Sequence, residues 1–323
     1  VTSLFFGWTM EGEKRSELPT SASAEDTMRP TRIFILTLLA LVAFASNSLL
    51  CRLALKQTGI DAASFTSIRI FSGAVSLWLI MRMRTASKVS NSSLVTGHWS
   101  LPQAGNWPSA LALFAYAAAF SFAYVSLSAA TGALLLFGAV QATMILWGLR
   151  KGEPLHLRQL FGLALALAGL IALLLPGLSA PPLGGAILML GAGVAWGVYS
   201  LRGKGTSDAI SATAGNFLRA VPFAAVLSIA LIAWTRFDRA GMVYAILSGA
   251  IASGVGYVIW YSALPGMKAT SAATVQLSVP VLAAAGGILL LGEPLTQRFL
   301  LASIAVLGGI SLVVLKRRPT LPR

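Results

Sequence analysis

Charge is scarce in this chain of 323 residues: Lys, Arg, Asp and Glu together make up 11% of it, against about 25% in soluble domains. A chain so poor in charge cannot cover itself with a hydrated surface, so water is not its main solvent. Cysteine is nearly absent. The single thiol, Cys51, excludes an intramolecular disulfide and, lying in an apolar run, reads as a small packing residue. Acid is missing where energy coupling would need it. All ten Asp and Glu lie outside the apolar runs: five near the N-terminus, then Asp61, Glu153, Asp208, Asp238 and Glu293. Both histidines, His98 and His156, also fall between those runs. A carboxylate or imidazole relay within a membrane therefore has no residue to use. Neither a metal-ligand cluster nor a phosphate loop nor a nucleophile triad is written here. The glycines of "GAGVAWG" lie inside an apolar helix and carry no nucleotide signal. The chain is expected to need no cofactor or metal and not to be an enzyme.

What the chain has in quantity is apolar sequence. Hydrophobic residues fill 56% of it, and mean hydropathy is +0.79. Its apolar runs are about 20 residues long, the length that spans bilayer hydrocarbon as a helix. Ten such helices are expected, at about 33–51, 63–81, 108–126, 129–148, 159–178, 183–201, 211–234, 240–262, 269–291 and 299–315. Breaks such as "KQTGID", "RKGEP", "PGLSAPP", "TRFDRA" and "LGEP" separate them. Residues 1–29 are polar and Ser/Glu-rich, and read as a disordered cytoplasmic tail without a signal peptide. The first residue is Val, so translation starting at Val1, Met10 or Met28 is consistent with the sequence.

The formal net charge of +14 does not signal nucleic acid, because the basic residues flank apolar runs instead of forming a dense basic domain. With the N-terminus inside, 17 Lys and Arg fall in cytoplasmic segments and 5 in outer ones. That asymmetry puts both termini in the cytoplasm, in a multi-pass protein of the inner (plasma) membrane.

The chain repeats itself. Shifted by 140 positions, Gly152, Glu153, Pro154, Leu155, Arg158 and Gly169 fall on Gly292, Glu293, Pro294, Leu295, Arg298 and Gly309. Shifted by 150, Arg52 falls on Arg202 and Arg69 on Arg219. The expectation is a five-helix unit written twice, at 30–178 and 182–318. Five is odd, so the second copy enters the membrane from the other face, an inverted repeat of the kind secondary transporters use. The twice-written "GEPL" reads first as a corner in which Gly ends one helix and Pro starts the next. Its glutamates, Glu153 and Glu293, are also candidates for latching a gate or for coupling.

Two five-helix halves, each with a "GEPL–R–G" corner, resemble the EamA-type members of the drug/metabolite transporter superfamily. "VAWGVYSLRGK" and "YSALPGMKATSAATVQLSVPVLAAAGGILLLGEPLT" strengthen the resemblance, which covers about residues 33 to 315. The chain departs from it in the first helix, where Ser46 and Asn47 stand in place of the Trp196–Gly197 pair of the sixth. It departs again at Gln141, opposite Pro280 or its neighbour. The resemblance implies a ten-helix carrier of small metabolites, commonly an exporter of amino acids or related compounds. Such a carrier works by alternating access around a central cavity. Its partners would be a small-molecule substrate and the lipid bilayer, as a monomer or homodimer. The alternatives are a non-transporting membrane partner subunit and a lipid-modifying membrane enzyme, which would need an acidic or His cluster at one face.

The polar residues inside the expected helices are the candidates for substrate contact. Arg69 and Arg219 lie about eight residues into matching helices. A central Arg costs about 2.5–3.5 kcal/mol on the insertion scale, so each should meet a partner or water. Two roles stand open: recognition of an anionic group through the bidentate fork, or bracing of helix-end carbonyls. The amides Asn47, Gln141, Asn216 and Gln276 either bridge helices or line the cavity. Trp196, Tyr199 and Tyr257 could wall an apolar or aromatic substrate.

Overall fold

In the computed structural model, residues 30–89, 104–152, 156–176, 180–203, 206–267, 272 and 275–314 are described. Among them the regular structure is entirely helical. Ten segments follow in order: α1 Pro30–Gln57, α2 Ala62–Val89, α3 Trp107–Tyr124, α4 Ala129–Arg150, α5 Leu157–Leu174, α6 Leu183–Gly203, α7 Ala209–Ala230, α8 Arg239–Gly266, α9 Val279–Leu291 and α10 Gln297–Val314. Nine of these are long and apolar enough to cross a membrane, and α9 is a shorter apolar helix. The chain is an all-α integral membrane protein. The tail at 1–29 and Glu153 lie outside the described residues.

Several ends differ from the sequence expectation, each for a local reason. Helix α1 continues past Arg52 and Lys56, which were expected in a loop. No Gly or Pro interrupts it before Gly59, and Arg52 finds carbonyl and carboxylate partners that make its burial tolerable. At the start of α2, Asp61 Oδ1 accepts the Ala63 and Ser64 N–H groups at 2.9 Å, an N-cap that fixes the first turn. Helix α7 stops at Ala230, four residues early, and a 3₁₀ turn at Ile232–Trp234 follows.

The two largest irregularities both lie in the second half. Within α8, residues Leu247–Val255 form a π-helical segment. Residues five apart on an α-helix point about 140° away from each other. The i→i+5 closure of a π turn brings them to one side. Ser248 and Ser253 both reach Asn47 in this way. Gly249 permits the segment to lie against α2: a Cβ there would collide with the Arg69 carbonyl and the Ser72 hydroxyl. Helix α9 was expected from 269, yet its continuous part begins only at Val279, after a turn at Leu277–Ser278. Pro280 explains the break, since it has no N–H to donate and its ring clashes with the carbonyl four residues earlier.

The corner at Gly292 matches its expected role in part. Gly292 ends α9 in the left-handed region (φ +60), and Gly152 after α4 has φ +83. Pro294, however, stands three residues before α10, and Thr296 accepts the Phe299 N–H to cap that helix.

Helix packing follows a two-fold pattern. Helix α5 lies on α10, α2 on α7 and α4 on α9. The pairing of α3 with α6 and α7 is matched by that of α8 with α1 and α2, and α4 on α6 by α9 on α1. Most close neighbours therefore belong to opposite halves, and the core is the interface between them. At the α5–α10 crossing, Gly162 and Gly309 face each other so closely that a Cβ on either would meet the other's carbonyl oxygen. Small residues of this kind let membrane helices approach backbone to backbone.

Candidate functional site

The inter-half core has a polar and aromatic centre. Arg69 of α2 is 2% exposed. One guanidinium nitrogen, Nη2, donates to the Tyr116 hydroxyl at 3.0 Å. The guanidinium carbon sits 5.2 Å from the Tyr116 ring centroid and 4.8 Å from that of Phe120, both on α3. The other terminal nitrogen, Nη1, is buried and has no hydrogen-bond partner. Among the described residues Arg298 Nη1 and Ser303 Oγ share that condition, but only Arg69 is itself a buried residue.

Around the arginine the aromatics form one continuous group. Trp196 of α6 stacks on Tyr257 of α8, with centroids 5.4 Å apart and planes at 19°, and on Tyr199 at 5.2 Å and 30°. Tyr116 packs against Trp196 at 4.8 Å, which joins the arginine's contacts to this wall. Phe44 of α1 and Phe217 of α7 close the far side of Tyr257. Trp196 is half-buried, while Tyr116, Tyr199 and Tyr257 are buried. Five helices from both halves thus contribute rings to one centre.

The other sequence candidates have different neighbours. Asn47 is buried, and its Oδ1 accepts hydrogen bonds from Ser248 at 2.8 Å and Ser253 at 3.3 Å. Asn216 Oδ1 accepts the Asn106 N–H at 2.9 Å, while its Nδ2 lies 3.5 Å from the Tyr199 hydroxyl. Arg219 Nη1 donates to the carbonyls of Ala104 and Gly215, both at 3.0 Å. Gln141 is buried on α4, and Gln276 is half-buried next to the break before α9. Neither amide joins the aromatic group.

Side chains that cross between the halves hold each end of the bundle. At the end away from the α1 N-terminus, Arg52 Nε meets Glu293 Oε1 at 3.1 Å. Arg52 Nη1 also donates to the Tyr124 and Val125 carbonyls, at 2.9 and 3.1 Å. Glu293 Oε2 accepts the Ala129 N–H at 2.8 Å, which places a carboxylate at the positive N-terminus of α4. Although it lies between helices, Glu293 is only 7% exposed. A pocket of about 270 Å³ opens beside this clasp, lined in part by Lys56, Ser128, Thr131 and Thr296.

The opposite end is held more loosely. Arg202, the counterpart of Arg52, donates to Ser109 Oγ at 3.2 Å and Asn106 Oδ1 at 3.3 Å. Asn216 and Arg219 grip the same stretch before α3, and Gly215 allows the Ala104 carbonyl to come close. An exposed pair, Arg84 and Asp208, stands 3.9 Å apart at this end. A larger cleft, about 940 Å³, lies between α2, α7 and α8, but its walls are apolar and do not include Arg69 or the aromatic centre.

Reading the sequence alone missed Tyr116, Phe120, Ser248, Ser253 and Arg52. The first two had a visible signal: Tyr116, Phe120 and Tyr124 recur every four residues along α3, one aromatic stripe on one helix face. The two serines had none, because their convergence depends on the π turn.

A multi-helix membrane bundle with a buried, cationic and aromatic centre between two matched halves has an architecture that fits a membrane transporter. The chain belongs to the EamA-like transporter family, whose sequence model matches residues 183–315. It is 57% identical to an uncharacterized protein of Pseudomonas aeruginosa over 290 residues, or 90% of this chain and 97% of that one. It is 24% identical to an uncharacterized transporter of Archaeoglobus fulgidus over 302 residues, 89% of this chain and 99% of the relative. One solved crystal structure, 14% identical, superposes with a TM-score of 0.57 over 87% of this chain and 96% of that chain, a likeness of fold.

Proposed function

We propose that this protein is a secondary transporter of the inner membrane that exports small metabolites. Its two units, 30–178 and 182–318, rock about the aromatic centre and expose it to each side in turn. The observation that carries this reading is the pair of clasps: both ends of the centre are held by side chains that cross from one half to the other. Alternation needs bonds of this kind, because they can break at one end while the other end holds. The end that carries the α1 N-terminus is assigned to the cytoplasm, since 17 Lys and Arg fall there against 5 at the other end.

In this mechanism Glu293 and Arg52 close the outer face. Arg202, the counterpart of Arg52, closes the cytoplasmic face in its turn, and Glu153, which lies outside the described residues, is the matching gate candidate by sequence. Substrate contact falls to Arg69, Trp196, Tyr199 and Tyr257, with Asn47, Gln141, Asn216 and Gln276 along the pathway, while Arg219 braces the stretch before α3. With no acid inside the helices, transport runs as exchange or facilitated diffusion. Metabolites leaking from cells that overexpress the protein should include compounds absent from vector controls, and loss of that leakage is expected in the Arg69→Gln variant. Equal leakage profiles in the two cell lines would reject the transport reading. Cysteines placed in "PGLSAPP" should label from outside intact cells, and labelling only after permeabilisation would reverse the orientation.

A further inference from the structure

Among the described residues, the centre carries one positive charge and no acid to balance it. Arg69 has no acidic partner among the described residues, and the titratable side chains facing it are Tyr116, Tyr257 and Cys51. Two aromatic faces and one hydroxyl serve a guanidinium less well than a carboxylate does, and Nη1 is left with no acceptor at all. A buried cation in this condition is costly and becomes favourable once an anion with hydrogen-bond acceptors arrives. The aromatic wall continues from Tyr116 to Trp196 and Tyr257, so a body that docks beside the charge would meet flat, apolar surfaces.

Equally informative is what surrounds the centre at a greater distance. The described acids stand at helix ends: Asp61 and Asp208 cap α2 and α7, Asp238 caps α8, and Glu293 is held by Arg52. An ammonium group carried into the centre would find no carboxylate to pair with, and it would be repelled by Arg69. A net charge of +1 matches a ligand of −1.

Resting on the transport reading above, we propose that the substrate is a monocarboxylate with a flat apolar body and no ammonium group. Its carboxylate accepts from Arg69 Nη1, and its body lies against Trp196 and Tyr257. Amino acids, which are zwitterions, are then poor substrates, and their deaminated relatives good ones.

Three probes that share a phenyl ring separate the possibilities: 3-phenylpropionate, phenylalanine (the same skeleton with an ammonium group) and phenethylamine. The full chain in proteoliposomes at pH 7 should exchange 3-phenylpropionate faster than protein-free vesicles do. Phenylalanine should compete at least tenfold more weakly, and phenethylamine not at all. Losing a hydrogen bond to a charged group is expected to weaken 3-phenylpropionate by about 10- to 150-fold in Arg69→Gln. Arg69→Lys, which keeps the charge without the fork, should fall between. Phenylalanine or phenethylamine competing as well as 3-phenylpropionate would overturn the proposal, and so would unchanged affinity in Arg69→Gln. The wild-type ratio decides the matter even if that variant fails to fold. No 3-phenylpropionate exchange in wild type, together with leakage of other metabolites from overexpressing cells, rejects this substrate class and leaves the transport reading standing. Absence of both rejects the two together.

Discussion

Arg69 and Arg219 occupy matching positions in the two halves, yet they live in different surroundings. Arg69 points one N–H at a tyrosine and leaves another without a partner, deep among aromatic rings. Arg219 is half-buried and ties down the Ala104 and Gly215 carbonyls. Of the two roles that sequence leaves open for both arginines, Arg219 has the carbonyl partners of a brace, and Arg69 keeps a hydrogen-bond donor without an acceptor, as the proposed recognition role requires. The clasps differ in the same sense. Glu293 closes one end with a buried ion pair, whereas Arg202 holds the other through neutral side chains. Repetition supplies the same residue twice, and the neighbours decide what it does.

The symmetry itself can be broken at the α5–α10 seam. Leucine at Gly162 or Gly309 forces apart two backbones in contact. Each variant should lose about 3 kcal/mol of stability or fail to assemble, read as yield and melting temperature in detergent. Similar losses at the two positions are expected, since each lies against the other's carbonyl. A large loss at one and none at the other would show the seam to be asymmetric.

The clasps allow a second comparison. Glu293→Gln leaves Arg52 without its counter-ion and should cost about 3 kcal/mol, the low end for breaking a buried pair. It should also raise the labelling rate of a cysteine placed at Thr131. Arg202→Gln removes only hydrogen bonds at an exposed position, and should cost about 1 kcal/mol. If the Arg202 variant proved the more damaging, the contrast between the two ends would be wrong.

For the arginine pair, Arg219→Gln should lower stability by about 1–3 kcal/mol through two lost charge-assisted bonds, and leave substrate affinity nearly unchanged. Thermal melting beside exchange kinetics separates this from Arg69→Gln, in which affinity falls. Equal affinity losses in the two variants would give Arg219 a share in recognition.

The smallest effect concerns the caps of α2 and α7. Burial alone would raise the Asp61 pKa, but the N–H groups of Arg236, Ser64 and Ala63 and the Ser64 side chain hold it below the ordinary carboxylate value. A depressed folded-state pKa adds stability above the unfolded value, and that stability is lost as pH falls through the folded one. Melting temperature should therefore decline as pH drops below the usual carboxylate range, and decline less in Asp61→Asn. Asp208 caps α7 with one N–H, from Ser211, and Asn caps a helix about as well as Asp, so Asp208→Asn should leave the melting temperature at neutral pH nearly unchanged. Identical profiles for wild type and Asp61→Asn would show the cap to be immaterial.

Much of this was legible without coordinates. Apolar runs gave the helices because, in lipid, only a helix satisfies a segment's backbone hydrogen bonds within the segment itself. The glycines at 152 and 292 ended theirs for want of a Cβ, and a charge in an oily run singled out Arg69 and Arg219. The π turn of α8 was not legible, because no residue type requires one. The break before α9 had Pro280 as a sign, but a proline in a membrane helix is as often a bend as a stop.

By itself the sequence determined that the chain is helical, lies in a membrane, and is built of two matched halves. Those properties follow from composition and period, which act on each residue through its nearest neighbours. Only the tertiary structure decided that α1 packs on α8 and α9, that Glu293 meets Arg52 from 241 positions away, and that Arg69 has rings around it and no acid among the described residues. Such choices depend on which surfaces fit closely and which charges are neutralised across the interface, and these are properties of no single stretch of chain.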